Sequence, residues 1–315
     1  MYHNHFGLRE EPFGVTPDRR FFYQTTQHGE AAATLFYAIQ QRRGFALMLA
    51  HAGLGKTSVL FTLVQMLKGK AQIAYLPNPY YDRDTVLESI MVSLGLEPAD
   101  SPAATHKLFY QYLLKAHTAG KTVVAVFDEA QDLNRGTLEA IRMLSNFETP
   151  DGKLLQIVLA GQPQLAATLR RPDCEQIRQR FSAIARLEPL AGDEIRKYMA
   201  HRLQVAGGSI ELFTPEAIDM IASASGGVPR NINMIGFNSL TLAYALEKQR
   251  VGSDEVAEVL RDLALPVSEP QPQLAAQAVL ERSPAFAQTA GPSRLVWIAA
   301  GVALLAAGTF LLGRF

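Results

Sequence analysis

The segment LAHAGLGKTSV, residues 49–59, holds the residue types that bind the phosphates of a nucleotide. Gly55, Lys56 and Thr57 follow one another soon after an apolar run, and a helical pattern begins at once. In such an arrangement the loop amides surround phosphate groups, the lysine neutralises their charge and the hydroxyl binds magnesium. We therefore predict a site for ATP and Mg²⁺ that is formed by Ala50, His51, Ala52, Gly53, Leu54, Gly55, Lys56, Thr57 and Ser58.

Ala50 stands where the usual phosphate-binding pattern has glycine. An alanine destabilises the loop if the backbone at that position needs a positive φ. The first glycine of the pattern leaves the strand before the amides that contact phosphate, and a methyl group is the smallest possible addition. We therefore expect nucleotide binding to survive the change, and we assign no chemical role to the side chain of His51.

Two carboxylates, Asp128 and Glu129, follow a second apolar run at 123–127. Ligands of parallel sheets bind beyond the carboxyl ends of the strands. At that edge Asp128 can hold magnesium together with Thr57, while Glu129 can accept a proton from an attacking water molecule. The pair therefore predicts an ATPase rather than a passive nucleotide binder.

Further polar residues could complete a catalytic site. Gln162 follows the run 154–160, which would bring it to the γ-phosphate in a suitable sheet order. Either Arg178 or Arg180 could be supplied across a subunit boundary to the reaction, although their arginine-rich stretch could also be a solvated basic face or a DNA contact. Arg230 follows a glycine turn and could point from a lid to the γ-phosphate. The predicted catalytic residues are Lys56, Glu129, Gln162, Arg178, Arg180 and Arg230.

The elements that must position these residues are visible as alternating patterns. Apolar runs typical of strands lie at 45–50, 72–78, 122–130, 154–162 and 185–190, and helical patterns lie at 57–69, 83–95, 104–119 and 135–147. Such alternation predicts an α/β fold, a P-loop parallel sheet with helices on both faces. From about residue 193 the pattern is helical only, and Thr214 and Ser253 are predicted as the N-cap residues that mark helix starts. We predict a nucleotide-binding domain at 1–192 and a small all-α lid at 193–264.

Composition fits a globular chain, since 48% of its 315 residues are hydrophobic and 19% are charged. Thirty basic residues balance thirty acidic ones, which lowers the expectation of nucleic-acid binding. The single cysteine, Cys174, excludes an internal disulfide and suits a reducing cytosol. The first residues carry no pattern of a secretory signal peptide.

The C-terminal part of the sequence changes character. Residues 265–293 are proline-rich and predict a flexible linker. Residues 295–312 contain neither a charge nor a proline, and a helix of that length measures roughly 27 Å, close to the ~30 Å hydrocarbon core of a bilayer. With Trp297 near one end, we predict a transmembrane helix at 294–312 rather than a buried hairpin helix. ATP is cytosolic, so residues 1–293 are expected on the cytoplasmic side of a bacterial inner membrane.

The chain resembles AAA+ ATPases, and more narrowly the general secretion pathway protein A (ExeA-like) family of secretion and pilus-assembly ATPases. The resemblance covers nearly all of residues 1–262. It depends on HFGLREEPFGVTPDRRFFY, GLGKT, VVAVFDEAQDL, IRMLSNFETPDGKLLQIVLAGQPQL, IRQRF and SGGVPRNIN.

This resemblance implies roles for individual residues. Lys56 and Thr57 belong to the P-loop, Asp128 and Glu129 to the second motif, and Gln162 and Arg230 are the first and second sensors. It also implies that the segment around Phe13, Pro17 and Phe21 packs near the adenine, and that Asn78 restrains Glu129. Longer family members continue past the span into a periplasmic peptidoglycan-binding region, so the resemblance implies that a separate partner contacts the cell wall.

Three functions remain open from the sequence. The first is an oligomeric, membrane-anchored ATPase that assembles or regulates a secretion or pilus-like apparatus of the cell envelope with a partner protein of the inner membrane. The second is a DNA-binding AAA+ ATPase of the transposition-regulator type, which the linker and span disfavour. The third is a nucleotide-sensing scaffold with negligible turnover, against which Glu129 argues.

Overall fold

The fold is built on a parallel β-sheet, as the alternating pattern predicts. The protein is described by a computed structural model, which covers residues 2–14, 18–77 and 81–263. Its strands are β1 Phe45–Ala50, β2 Ala71–Leu76, β3 Thr122–Phe127, β4 Glu148–Thr149, β5 Gly152–Lys153, β6 Leu155–Gly161 and β7 Phe181–Leu187. Five of them form the sheet β2-β3-β6-β1-β7, and all neighbours in it are parallel. The hairpin β4-β5 is antiparallel.

Helices connect and flank the strands. They are α1 Tyr2–His5, α2 Thr26–Gln40, α3 Lys56–Leu67, α4 Val86–Ser93, α5 Pro102–Thr118, α6 Arg135–Leu144, α7 Pro163–Leu169, α8 Glu175–Arg178, α9 Asp193–Val205, α10 Pro215–Ser225, α11 Pro229–Ala245 and α12 Ser253–Asp262. Single 3₁₀ turns lie at Arg19–Phe21, Ala130–Asp132, Pro172–Cys174 and Ile210–Leu212. The expected change from an alternating to a helical pattern therefore follows β7.

Each face of the sheet has its own apolar core. Successive residues of a strand point to opposite faces. In β1, Phe45, Leu47 and Leu49 pack in the cluster formed with α4, α5, α6 and α7. The alternate residues Ala46, Met48 and Ala50 pack in the cluster formed with α2 and α3. The three central strands are buried throughout, which explains why they read as continuous apolar runs.

Several sequence-based boundaries differ from the structure, among them the start of the last strand and the N-cap of the last helix. The last strand was expected at 185–190 but extends over Phe181–Leu187, because it is an edge strand whose Ser182, Ile184 and Arg186 are exposed. Its apolar residues therefore alternate with exposed ones and form no continuous run. The final helix has Gly252 as its N-cap rather than Ser253, and the side chain of Glu255 accepts the Gly252 N–H at 2.8 Å. Thr214 caps its helix as expected.

The helices after β7 form a third core that includes the N-terminal segment. Phe6, Leu8, Phe13 and Phe21 are buried together with residues of α9 to α12. The guanidinium of Arg202, only 8% exposed, donates hydrogen bonds to the carbonyl oxygens of Pro12 and Gly14. We call α9 to α12, together with the N-terminal segment that carries Phe6, Leu8, Phe13 and Phe21, the helical module. The division at residue 192 stays a prediction, as do the other domain limits.

The proposed linker and the proposed span, 265–293 and 294–312, lie outside the described residues. Within the part of the chain that the structure describes, no helix combines the length and the apolar character needed to cross a membrane.

Candidate nucleotide-binding site

The phosphate-binding loop connects β1 to α3 without an intervening element. Gly53 and Gly55 have φ of 84° and 93°, in the left-handed region that favours glycine. Ala50 is the last residue of β1, 1% exposed, and pairs in register with Leu187. The alanine therefore lies in extended backbone rather than in the left-handed turn, and it imposes no conformational strain on the loop.

The remaining loop positions are accessible. His51 and Ala52 are exposed, and the His51 carbonyl accepts the Leu54 N–H at 3.3 Å. Ser58 is half-buried in the first turn of α3, whereas Leu54 is buried in the core beneath the loop. The loop thus has an apolar anchor on one side and a surface open to solvent on the other.

A histidine that the sequence analysis did not single out supports the loop from the N-terminal side. The Nε2 of His28 lies 3.1 Å from the Leu54 carbonyl oxygen, and its Nδ1 lies 3.3 Å from the Thr25 backbone nitrogen. Because the carbonyl only accepts, Nε2 carries the proton and Nδ1 accepts from Thr25. A Cβ on Gly55 would lie 2.8 Å from His28 Nε2, so the ring leaves no space for a side chain there. Burial lowers the pKa of His28.

Lys56 brings the loop and the two predicted carboxylates together. Its Nζ contacts Asp128 Oδ1 and lies 2.7 Å from Glu129 Oε1. Lys56 and Asp128 are each 6% exposed. Thr57 Oγ1 lies 3.5 Å from Asp128 Oδ2. The buried ammonium group of Lys56 therefore contacts two carboxylates, which lie more than seventy residues further along the sequence.

Tyr75, at the end of β2, is a further member of the site. Its hydroxyl donates to Asp128 Oδ2 at 2.9 Å. Burial and the nearby charge of Asp128 raise the pKa of Tyr75, so the hydroxyl stays protonated and continues to donate. Strand β2 lies next to β3, with Tyr75 in register with Val126. Its role depends on this pairing, which a linear sequence pattern does not reveal.

Glu129 is ionised and partly accessible. Burial alone would raise its pKa, but hydrogen bonds from Lys56 and Gln131 outweigh that effect and hold the pKa of Glu129 below its usual range. The side chain is 40% exposed, so water can reach the carboxylate. Its backbone has φ 50° and ψ 35°, an unusual conformation for a residue other than glycine. The group has the protonation state that a general base requires.

Gln162 and Gln131 connect Glu129 to the neighbouring strand. Gln131 Nε2 donates to Glu129 Oε2 at 2.9 Å, and the Gln162 N–H donates to Gln131 Oε1 at 3.0 Å. Gln162 is also the N-cap position of α7, directly beyond β6. The predicted sensor residue and the predicted base are therefore joined through one glutamine side chain.

Arg230 lies at the start of α11, where the helical module meets the phosphate-binding loop. A Cβ on Gly53 would lie 2.7 Å from the Arg230 Cβ and 3.1 Å from Val228 Cγ1. Gly227, with φ 72°, packs against the Leu190 backbone so closely that a Cβ would overlap the Leu190 carbonyl. The glycine turn thus brings Arg230, which is exposed, to the loop.

The two candidate arginines for a neighbouring subunit lie elsewhere. Arg178 is exposed at the end of α8 and pairs with Glu175 at 3.6 Å. Arg180 donates to Ser145 Oγ at 3.4 Å and to Asn146 Oδ1 at 3.2 Å. Among the described residues, neither arginine makes a hydrogen bond or ion pair with the loop of its own chain.

Only some of the residues expected near the adenine and beside Glu129 belong to the part of the chain that the structure describes. Phe13 and Phe21 are buried in the core of the helical module. Pro17 and Asn78 lie outside the described residues. The roles that the resemblance implies for these four residues stay predictions.

Comparison with known proteins identifies a matching domain family and a related protein. Residues 39–169 match the AAA domain family. The chain is 40% identical over 260 residues to general secretion pathway protein A of Aeromonas hydrophila, covering 82% of this chain and 47% of that protein. It therefore spans about half of that relative's length.

Solved structures agree on the fold. Cdc6p from Pyrobaculum aerophilum superposes with a TM-score of 0.61 at 17% identity, covering 80% of this chain and 70% of that one. The Holliday junction branch migration motor RuvB of Thermotoga maritima gives a TM-score of 0.52 at 18% identity, covering 75% and 69%. At these identities the likeness concerns the P-loop AAA+ fold alone, and that fold confirms the predicted class.

Proposed function

This chain is an AAA+ protein related to general secretion pathway protein A, and from that premise we propose that it binds ATP with Mg²⁺ and hydrolyses it. The observation that carries the proposal is the position of Lys56 between Asp128 and Glu129, at the first turn of a helix that follows a glycine loop. A basic residue, a helix N-terminus and loop amides attract phosphate, while an ionised carboxylate can activate water.

The residues present fit both ligands. The left-handed Gly53 and Gly55 let the loop backbone curve around an anion, and Lys56 supplies a positive charge. Thr57 Oγ1 and Asp128 Oδ2 are oxygen donors 3.5 Å apart, of the kind that magnesium prefers, and magnesium sites often use only one or two carboxylates. When bound, the metal ion neutralises charge on the β- and γ-phosphates.

The chain's own groups then account for hydrolysis. Lys56 exchanges Glu129 for phosphate oxygens, which releases the carboxylate toward solvent. Glu129 takes a proton from a water molecule while the oxygen of that water bonds to the γ-phosphorus. The bond between the γ-phosphorus and the oxygen that bridges it to the β-phosphate then breaks, which gives ADP and phosphate. Gln162 and Arg230 orient and stabilise the γ-phosphate in this scheme.

The first experiment measures ATP binding and phosphate release by the purified chain with Mg²⁺. Lys56→Ala should abolish turnover and weaken ATP binding strongly, because the buried charge that faces the phosphates is removed. Lys107→Ala, on the exposed face of α5, serves as the matched control and should behave as wild type. A wild-type chain that binds no ATP would contradict the proposal.

Self-association belongs to the same proposal. Arg178 or Arg180 of one subunit completes the site of its neighbour, because neither is engaged with its own loop. The variant that lacks the essential arginine should be inactive alone but regain turnover when mixed with Lys56→Ala chains, which still supply the arginine. Full activity of both single arginine variants would remove these residues from the reaction.

We extend the proposal to location and partner. The apolar residues 295–312 anchor the ATPase in the bacterial inner membrane, where it acts with an envelope protein on a secretion or pilus-like apparatus. Deleting 294–312 should release the chain from washed membranes, and a full-length chain that is already free of them would contradict anchoring. DNA binding is disfavoured because the thirty basic residues are balanced by thirty acidic ones.

A further inference from the structure

Gln131 occupies a central position that no feature of the proposed mechanism yet explains. Its side chain is held at both ends, because Nε2 donates to Glu129 Oε2 at 2.9 Å and Oε1 accepts the Gln162 N–H at 3.0 Å. Nε2 also lies 2.9 Å from Asp132 Oδ2. A glutamine amide can donate and accept at once, whereas a carboxylate or an aliphatic side chain of similar length cannot make both bonds.

The end of β6 is shaped to admit this side chain. A Cβ on Gly161 would lie 3.0 Å from Gln131 Oε1 and 3.1 Å from the Gln131 nitrogen. Gly161 does not need a left-handed backbone, since its φ lies outside that region. The absence of a side chain at Gly161 is therefore explained by the close approach of Gln131 and of Leu165 Cδ2, which lies 3.0 Å from the same Cβ position, rather than by backbone conformation.

Glu129 needs such a support. The left-handed backbone of Glu129 constrains the direction of the side chain at that single residue and does not hold the carboxylate itself. Lys56, its other strong partner, is the group that phosphate oxygens would attract. Once Lys56 turns to the phosphates, Gln131 is the partner that remains on Oε2. The bond through Gln131 also ties the carboxylate to Gln162, the N-cap residue of α7.

We infer that Gln131 is a positioning residue, which fixes the carboxylate of Glu129 against the start of α7 so that the base and Gln162 keep one geometry during ATP hydrolysis. The inference depends on the proposed function, because it assigns a role within that reaction. Gln131 does not touch the reacting atoms and acts through Glu129.

The test measures steady-state ATP turnover and, separately, ATP binding by the full chain. Gln131→Ala should lower kcat by about 10- to 100-fold, because a displaced base loses alignment, while the Kd for ATP stays within about threefold. Gln131→Glu should lower kcat further with the same small change in Kd, because a second carboxylate repels the first and offers it no hydrogen bond.

Two more variants separate positioning from folding. Gly161→Ala leaves Gln131 in place but presses on it, and should lower kcat in the same direction with a smaller effect. Gln111→Ala, an exposed glutamine of α5, is the matched control and should match wild type in kcat and in the Kd for ATP. Thermal unfolding of each variant reports whether the fold is intact.

The outcomes distinguish the inference from the function on which it depends. A wild-type chain without ATP turnover would contradict the proposed function, and the inference would fail with it. If wild type is active and Gln131→Ala keeps its kcat, the inference alone is wrong. A rise in the Kd for ATP that matches the loss of kcat would also overturn it, because that result indicates a general disturbance of the site rather than positioning of the base.

Discussion

The imidazole of His28 donates a hydrogen bond to the carbonyl oxygen of Leu54 at 3.1 Å, so a residue of α2 supports the phosphate-binding loop. The bond from the Thr25 N–H to Nδ1 needs a neutral ring, whereas Nε2 donates to Leu54 in either protonation state. Protonation of His28 therefore breaks the contact at the start of α2, the helix from which the ring supports the loop.

This sensitivity predicts a pH effect on stability. Burial lowers the pKa of His28, although Leu54 and Glu194 act in the opposite direction. The unfolded state therefore binds a proton first, so stability is full above the unfolded pKa of about 6.5 and is lost as pH falls toward the folded pKa. His28→Gln, which keeps a donor for Leu54 but does not titrate, should flatten the fall in Tm between about pH 7.5 and 5. The exposed His106→Gln is the control; equal pH profiles for His28→Gln and wild type would contradict the prediction.

Restoring the usual glycine at position 50 should not improve nucleotide binding. Ala50 lies in β1 with its side chain in the core, so Ala50→Gly removes a buried methyl group and adds backbone freedom. The ATP Kd should change by less than about twofold, while unfolding free energy falls by roughly 1 kcal/mol. Ala46→Gly, on the same strand and in the same core, should lose similar stability in chemical denaturation. A large gain in ATP affinity for Ala50→Gly alone would show that the alanine impairs the loop.

Gly53 should be intolerant of a methyl group for a reason beyond its backbone. Gly53→Ala places a Cβ 2.7 Å from the Arg230 Cβ, while Gly69→Ala, also at positive φ, meets nothing within 4 Å. Both variants strain the backbone by about 1 kcal/mol, but only Gly53→Ala displaces the helical module from the loop. ATP titration should therefore show a marked loss of affinity for Gly53→Ala and none for Gly69→Ala. Equal affinities in the two variants would mean that α11 yields without consequence.

The base assignment predicts a separation of binding from turnover. Glu129→Gln keeps the size of the side chain but removes the ionised acceptor, so phosphate release should fall at least about 100-fold while ATP still binds. Glu139→Gln, on the exposed face of α6, changes charge by the same amount away from the site and should remain active. Turnover that survives in Glu129→Gln would assign the base to another group.

Sequence reasoning located the parts of the site that lie within continuous motifs. The loop from Ala50 to Thr57 and the pair Asp128-Glu129 follow buried strands, and both the apolar runs and the polar residues after them are local signals. Tyr75, His28 and Gln131 were missed because each acts through a neighbour distant in the sequence or through a side chain with two partners. Tyr75 becomes part of the site only because β2 pairs with β3, a property of sheet order that spacing along the chain does not contain.

The edge strand β7 illustrates a second limit. Ser182, Ile184 and Arg186 are exposed while Ala185 and Leu187 are buried, so the strand alternates where the central strands do not. A search for apolar runs therefore finds its end but not its beginning. In the final helix, the predicted N-cap, Ser253, is one position too late. Gly252 is the N-cap, and its N–H donates a hydrogen bond to the side chain of Glu255.

The third core joins the two ends of the described sequence, since Phe6, Leu8, Phe13 and Phe21 are buried with residues of α12 such as Val256. On a ribosome these aromatic and aliphatic side chains emerge before their partners in α12, which follow only after the whole sheet has been made. The core of the helical module is therefore complete only after Val256 and Val259 have been synthesised. A chain that ends before α12 would leave part of this apolar core uncovered, a state that favours aggregation or binding by chaperones.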